Sequence, residues 1–206
     1  MTCVLLLIGS HSDTPCTTPN TAADAKSMER RATMYINVST PPAVISVVTN
    51  CTAKKLDRPA PARELYLGPS VRRTAKAVDE ARRAGARVAL YIISARHGLL
   101  REDQVVEPYD ETLSGRRRDE VKKWAAEVGL LDAFEKLARE TTVVLTVTKP
   151  YYWAVEDAAC KYDVYVLAPY KACGKWVKTG NFNRHKALRE LLAQLSRHPQ
   201  TQHTNH

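Results

Sequence analysis

The sequence predicts an α/β fold, with a mainly parallel sheet of four to five strands and helices on both faces, a Rossmann-like arrangement in three layers. Short β-branched runs alternate with amphipathic segments in the order βαβαβαβα, which is typical of crossover units. One run, Val88–Ser94, is continuously apolar, as a strand buried on both faces requires. We expect a single domain over 43–197, a poorly ordered N-terminal extension over 1–42 and a disordered tail over 198–206.

The elements follow in order along the chain. Four runs predict strands: Val44–Thr49, Val88–Ser94, Val143–Thr148 and Tyr162–Ala168. Three segments predict helices between them: Ser70–Ala84, closed by Gly85, then Arg118–Val128, and Tyr151–Lys161, which is entered through Pro150. A further helical segment begins near Asp132. A last helix is indicated by the spacing i, i+3, i+4, i+7 of Leu188, Leu191, Leu192 and Leu195.

The formal net charge of +9 favours a polyanionic partner, namely nucleic acid or a nucleotide, although a basic surface that binds nothing stays open. The cations cluster in one arginine run and in the C-terminal part of the chain. We expect phosphate contacts from Arg116, Arg117, Arg118, Lys175, Lys178 and Arg184. No apolar run reaches the roughly 18 residues of a membrane span, so no membrane partner is expected.

The five cysteines show no CxxC pair and no zinc-ligand spacing. Their odd number and irregular spacing are typical of a reduced, cytoplasmic protein. Because the chain also lacks a glycine-rich phosphate loop and a convincing cluster of metal ligands, neither a metal nor a cofactor is expected.

Polar and basic loops follow all four predicted strands. In a parallel sheet, ligands bind beyond the carboxyl ends of the strands. Cations there would neutralise phosphate, and aromatic rings would stack on a base. The candidate ligand-binding residues in these loops are Asn50, Cys51, Thr52, Lys54, Lys55, Ser94, Arg96, His97, Gly98, Lys149 and Tyr151, and the fourth loop is Pro169–Lys171.

Further candidates lie in the two segments that follow the first two loops, and several of them keep a structural alternative. Arg63 either pairs with Glu64 or points toward the site, and Tyr66 closes the same segment. Tyr109 and Asp110 follow the second loop. Asp110 is the best carboxylate for general acid–base work because neighbouring cations would keep it ionised, and the alternative is a capping or turn aspartate.

Two loop residues also have two readings each. His97 is either exposed in the cleft or a packed structural histidine. Cys51 stands where a nucleophile would stand, and the alternative is a small buried structural residue at a strand end.

Two of these stretches carry a family resemblance. Ser94-Ala95-Arg96-His97-Gly98-Leu99-Leu100-Arg101-Glu102-Asp103, followed by Glu107-Pro108-Tyr109-Asp110-Glu111-Thr112-Leu113, resembles the signature S-x-x-(Y/H)-G-(L/V)-L-x-P-x-D-x-I-x-P-Y of YaaA-like proteins. It is similar also to uncharacterised microbial and viral domains with an upstream C-(T/S)-x-x-K and P-A-x-x-L-Y, here Cys51–Lys55 and Pro61–Tyr66. The resemblance implies an α/β core, DNA binding and a part in the peroxide-stress response, within a superfamily similar to nucleic-acid glycosylase folds.

Three functions are compatible with these residues. The first is an enzyme, a glycosidase or transferase that acts at the N-glycosidic bond of a base. Asp110 would then stabilise positive charge or activate water, His97 or Lys55 would assist the leaving base, and Tyr109 or Tyr151 would stack on it. The second is a non-catalytic DNA- or RNA-binding protein, and the third a small-nucleotide sensor. The sequence leaves open whether the chain is an enzyme and what its oligomeric state is.

Overall fold

The computed structural model describes residues 44–197, so the expected extension over 1–42 and the tail over 198–206 lie outside the described residues. The strands are β1 (Ile45–Asn50), β2 (Ala60–Pro61), β3 (Val88–Ser94), β4 (Gly98–Arg101), β5 (Val105–Val106), β6 (Thr142–Thr146), β7 (Tyr165–Ala168) and β8 (Lys175–Lys178). The helices are α1 (Ala62–Leu65), α2 (Pro69–Arg83), α3 (Arg118–Glu127), α4 (Leu130–Glu140), α5 (Lys149–Trp153), α6 (Glu156–Lys161) and α7 (Arg184–Arg197).

The main sheet is six-stranded and mostly parallel, in the order β4-β3-β1-β6-β7-β8. Only β4 runs antiparallel to its neighbour within this sheet, and β2 and β5 form a separate two-stranded antiparallel pair. The predicted mixed α/β class with a mainly parallel sheet is confirmed. The sheet has six strands rather than the four to five expected. The two that the sequence did not predict, β4 and β8, are four-residue edge strands that end in charged side chains.

The helices bury regular apolar stripes. Val71, Thr74, Ala75 and Val78 of α2 recur at i, i+3, i+4 and i+7, and Pro69 starts this helix where its missing N–H costs nothing. Four leucines of α7 follow the same spacing and pack in one cluster with α2. The expected helix over 151–161 is two short helices instead, because the backbone leaves the helical region at Val155, whose φ is −127°.

Two apolar clusters enclose the strands. Val47 of β1 packs in one cluster with side chains of α2 and α7. Its neighbour Val48 packs in the other, which contains side chains of α3, α4 and α6. Neighbouring strand residues point in opposite directions, so each strand contributes to both clusters. No helix within residues 44–197 combines the length and apolar character that a membrane span requires.

One pair of cysteines is oxidised, which corrects the expectation of a fully reduced chain. Cys160 of α6 and Cys173, in the loop before β8, form a disulfide with their Cα atoms 4.8 Å apart. The sequence spacing of the pair matches no recognisable motif, and only the fold brings the two residues together. Cys51 is a free, buried thiol.

Candidate functional site

A cavity of about 310 Å³ opens at the carboxyl ends of β1 and β6. From β1 the chain crosses through α2 to β3 on one side, whereas β6 lies on the other side of β1. The connections therefore diverge between β1 and β6, which is where open parallel sheets bind ligands. The cavity is lined by Asn50, Cys51, Thr52, Ala53, Glu111, Thr112, Ser114, Thr148, Pro150 and Tyr151.

A thiol and a phenol meet at the wall of this cavity. The Cys51 Sγ lies 3.0 Å from the Tyr151 hydroxyl oxygen, and both residues are almost fully buried. Burial raises the pKa of Tyr151, and the nearby Cys51 raises it further, so its hydroxyl stays protonated at neutral pH. The hydroxyl can therefore donate a hydrogen bond to a ligand or to the thiol.

Asn50 fixes the two strand ends that frame the cavity. Its Oδ1 accepts a hydrogen bond from the Thr148 N–H at 2.9 Å, and its Nδ2 donates to the Cys51 carbonyl at 2.7 Å. The side chain is buried and spans from the end of β1 to the residues just after β6. Asn50 thus holds the cavity wall in place as well as lining it.

Three buried hydroxyls form a chain beside the cavity, which we call the hydroxyl chain: Tyr66, Tyr109 and Ser94. The Tyr109 hydroxyl lies 2.9 Å from that of Tyr66 and 2.7 Å from the Ser94 Oγ. The Ser94 Oγ also accepts the backbone N–H groups of Arg96 and His97 at 3.2 and 3.0 Å. Burial raises the pKa of both tyrosines, so the chain is uncharged at neutral pH.

The ring of Tyr109 is the point where the sequence motifs converge. His97 meets it edge-on at a centroid distance of 5.4 Å, and the Lys55 Nζ lies 4.3 Å from the ring centroid. Lys55 also pairs with Tyr66 in an isolated β-bridge. The loops after β1 and β3, the segment of α1 and the segment around Tyr109 are therefore one structural unit.

Several predicted site residues do not line the cavity, in contrast to the ligand contact expected of them. Tyr66 and Ser94 have no exposed surface, so they support Tyr109 and cannot touch a ligand. Arg63 neither pairs with Glu64 nor reaches the cavity. Its guanidinium bonds Asp79 at 2.8 Å and Glu102 at 2.9 Å. The hydrogen bond that Arg63 donates to the Asp79 carboxylate raises the pKa of Arg63.

Other predicted residues surround the cavity without lining it. Asp110, Lys54 and Lys149 are exposed, and Lys149 lies 5.5 Å from the ring centroid of Trp153. His97 is exposed as well, in contact with Tyr109. Gly98 is buried at the start of β4, where its backbone adopts a φ of +68°.

Sequence reasoning missed part of the lining. Glu111, Thr112, Ser114 and Pro150 contribute to the cavity, and the Glu111 carboxylate lies 3.8 Å from the Arg96 guanidinium. The motif stretch over 107–113 includes Glu111 and Thr112, but the sequence singled out Tyr109 and Asp110 within it as the candidates. Within residues 44–197, no group of three or more His, Cys, Asp or Glu residues is arranged to hold a metal ion.

The expected phosphate-binding cations form no continuous free surface. Three of the six make ion pairs within the protein: Arg117 with Asp119, Arg118 with Glu156, and Lys175 with Asp163. Arg184 is only 8% exposed, so it is not a free surface cation, and its expected phosphate contact stays a prediction. Lys178 is exposed and Arg116 partly so.

The fold and cavity define an α/β protein with a candidate small-molecule site at the carboxyl edge of a mostly parallel sheet. The chain belongs to a family of unknown function, DUF6884, whose family model matches residues 45–178. No curated protein and no solved structure matches the chain.

Proposed function

We propose that this protein binds a nucleotide, or one nucleotide unit of a nucleic acid, in the cavity between β1 and β6, and that it acts there on the N-glycosidic bond of the base. The observation that carries the proposal is the cavity itself. Its volume of about 310 Å³ lies in the range of small-ligand sites, roughly 300–1,000 Å³. A duplex could not enter a space of this size, whereas a nucleoside could.

The lining suits a ring with polar edges. Cys51 and Tyr151 offer a thiol and a neutral phenol, Thr112 and Ser114 offer hydroxyls, and Asn50 keeps one amide hydrogen free. These groups donate and accept hydrogen bonds without adding charge, as recognition of a base edge requires. The net charge of +9 favours the phosphate of the same ligand.

Glu111 is the carboxylate that we propose for the reaction. Cleavage of an N-glycosidic bond develops positive charge on the sugar, and a carboxylate at the cavity wall stabilises it or activates water. Both carboxylates are exposed, but Glu111 lines the cavity and its neighbour Asp110 does not. The Arg96 guanidinium lies 3.8 Å from the Glu111 carboxylate, so a cation stands beside the proposed reactive group. We assign assistance to the departing base to the Tyr151 hydroxyl, a neutral hydrogen-bond donor at the cavity wall.

Two broader features complete the proposal. We interpret the two apolar clusters on β1, one with α2 and α7 and the other with α3, α4 and α6, as the layers of a Rossmann-like three-layer fold. We also propose a relationship to YaaA-like proteins, on the motif resemblance of residues 94–113.

Base release from nucleosides and nucleotides, followed by chromatography, tests the enzymatic proposal. We expect Glu111→Gln to lower the rate on the order of 100-fold, the usual size of a general acid–base contribution. Asp110→Asn is the matched neighbouring variant and Glu64→Gln the distant exposed control, and both should retain the rate within about threefold. Loss of activity in Asp110→Asn with Glu111→Gln unchanged would return the role to Asp110. The absence of base release and of saturable nucleoside binding would refute the proposal.

A second candidate is a nucleic-acid-binding protein without chemistry. One observation favours it: Arg72, Arg73, Lys76 and Arg83 lie exposed on the single helix α2. Binding would then weaken with salt, by about 0.9 log units per log unit of salt for each duplex phosphate neutralised. A combined Arg72→Gln and Lys76→Gln variant should lower that slope by about two, and Glu111→Gln should leave it unchanged. A salt-independent affinity contradicts this candidate.

A further inference from the structure

The last strand, loop and helix form a unit at the carboxyl edge of the sheet. β8 runs parallel to β7 and ends at Lys178, the loop covers residues 179–183, and α7 begins at Arg184. The Ala187 N–H donates to the Asn183 carbonyl at the first turn of this 14-residue helix. The N–H groups before Ala187 therefore have no acceptor within the helix, and the helix dipole adds positive potential there.

A buried guanidinium lies at the same point. Arg184 is 8% exposed, and its two terminal nitrogens contact the Val147 carbonyl at 3.4 Å and the Asn181 Oδ1 at 2.7 Å. Its Nε is buried without a hydrogen-bond partner. No carboxylate among residues 44–197 forms an ion pair with this side chain, although a buried cation normally requires a counter-charge.

The loop in front of this helix end is open to solvent. Asn181, Phe182 and Asn183 are exposed, and the Phe182 ring is 94% exposed. Lys178 and Lys186 stand exposed on either side of the loop, and Lys186 lies 3.9 Å from Glu190 one turn further along the helix. An anion can therefore reach the first turn of α7.

We infer that the loop 179–183 and the first turn of α7 form a phosphate-binding site, in which the free backbone N–H groups hold the phosphate oxygens and Arg184 supplies the positive charge beneath them. Helix N-termini that follow parallel strands bind phosphate in this manner. The negative charge of the ligand is the counter-charge that Arg184 lacks within the protein.

The phosphate site adjoins the cavity. The Val147 carbonyl accepts the Arg184 guanidinium and the Tyr170 hydroxyl, at 3.4 and 3.3 Å, and the next residue, Thr148, lines the cavity. Resting on the proposed function, we assign the site to the phosphate of the nucleotide whose base and sugar occupy the cavity. Inorganic phosphate has the same chemistry, and the experiment below distinguishes it from the phosphate of a nucleotide.

Amide chemical shifts of the full chain test this inference with three probes: inorganic phosphate, a nucleoside and its 5′-monophosphate. In the unaltered protein, phosphate should shift the amides of Gly180 and residues 184–186 saturably. Arg184→Met should weaken phosphate binding at least tenfold, whereas Arg197→Met, at the far end of the same helix, should change it less than twofold. Lys178→Gln, an exposed position that folding tolerates, should weaken it about two- to threefold.

The probes separate the failure of this inference from that of the proposed function. Phosphate shifts confined to the cavity residues, or no saturable shift at all, overturn the phosphate site. The nucleoside reports on the cavity alone, through the amides of Thr52, Thr112 and Tyr151. If the nucleoside fails to bind while phosphate still shifts the first turn of α7, the site stands as one for free phosphate and the nucleotide proposal fails. Tighter binding of the monophosphate than of the nucleoside, lost in Arg184→Met, supports both.

Discussion

The hydroxyl chain gives a quantitative test of how the site is supported. Tyr109 is its central member and makes both hydrogen bonds, one with Tyr66 at 2.9 Å and one with Ser94 at 2.7 Å. A buried hydrogen bond contributes about 1 kcal/mol net. Tyr109→Phe removes both bonds and should lower the free energy of unfolding by about 2 kcal/mol. Tyr66→Phe removes one bond and should lower it by about 1 kcal/mol.

The free energy of unfolding of the double variant, Tyr66→Phe with Tyr109→Phe, tests whether the hydrogen bonds are shared. With both hydroxyl groups gone, the same two hydrogen bonds are lost as in Tyr109→Phe alone. The cost should therefore stay near 2 kcal/mol, about 1 kcal/mol less than the sum of the single variants. Urea denaturation followed by circular dichroism measures these differences, and Tyr91→Phe, in a half-buried position on β3, is the control with a cost near zero. Strictly additive costs would refute the shared hydrogen bonds.

Three other perturbations have defined outcomes. Burial raises the pKa of Tyr66 and Tyr109, so their contribution to the free energy of unfolding is complete below pH 10 and is lost as the pH rises further. The expected loss is about 1.4 kcal/mol per pH unit for each tyrosine. Urea denaturation at a series of alkaline pH values measures it, and a constant stability would contradict the expectation. Reduction of the Cys160–Cys173 disulfide, whose cysteines are 13 residues apart, should lower the free energy of unfolding by about 3 kcal/mol. Denaturation with and without a dithiol measures this loss, and an unchanged midpoint would contradict it. Gly98→Ala should cost at least about 1 kcal/mol, since the φ of +68° disfavours a side chain and the new Cβ would lie 3.0 Å from a backbone carbonyl; an unchanged melting temperature would count against it.

The sequence predicted the centre of the fold better than its edges. β1, β3, β6 and β7 are apolar and β-branched, so their periodicity identifies them. β4 begins at Gly98, directly after the turn over 95–97, and its sequence is typical of a loop because its four residues end in a charged side chain. β8 has lysines at both ends and lies in a strongly basic stretch, where the charge obscures the strand pattern.

The sequence predicted which segments form the site, but not which of their side chains line the cavity. Asp110 and Glu111 are adjacent, and only the backbone path after the buried Tyr109 decides which of them lines the cavity. Tyr66 and Ser94 belong to the family-like motifs, and in the structure both hydrogen-bond the Tyr109 hydroxyl instead of lining the cavity. A motif does not distinguish such a supporting residue from one that contacts a ligand. The ion-pair partners of Arg63 could not be predicted either, because Asp79 and Glu102 lie 16 and 39 residues away along the chain.

The packing of α7 has a practical consequence for work with fragments of this family. The matched stretch ends at residue 178, before this helix begins. Leu188, Leu191, Leu192 and Leu195 cover α2 and one side of the strands, and burial of four leucines is worth roughly 6–12 kcal/mol. That is comparable to the whole stability of a typical domain, about 5–15 kcal/mol. A polypeptide cut to the matched residues would expose a bare apolar surface and aggregate, so the smallest usable fragment extends through Arg197.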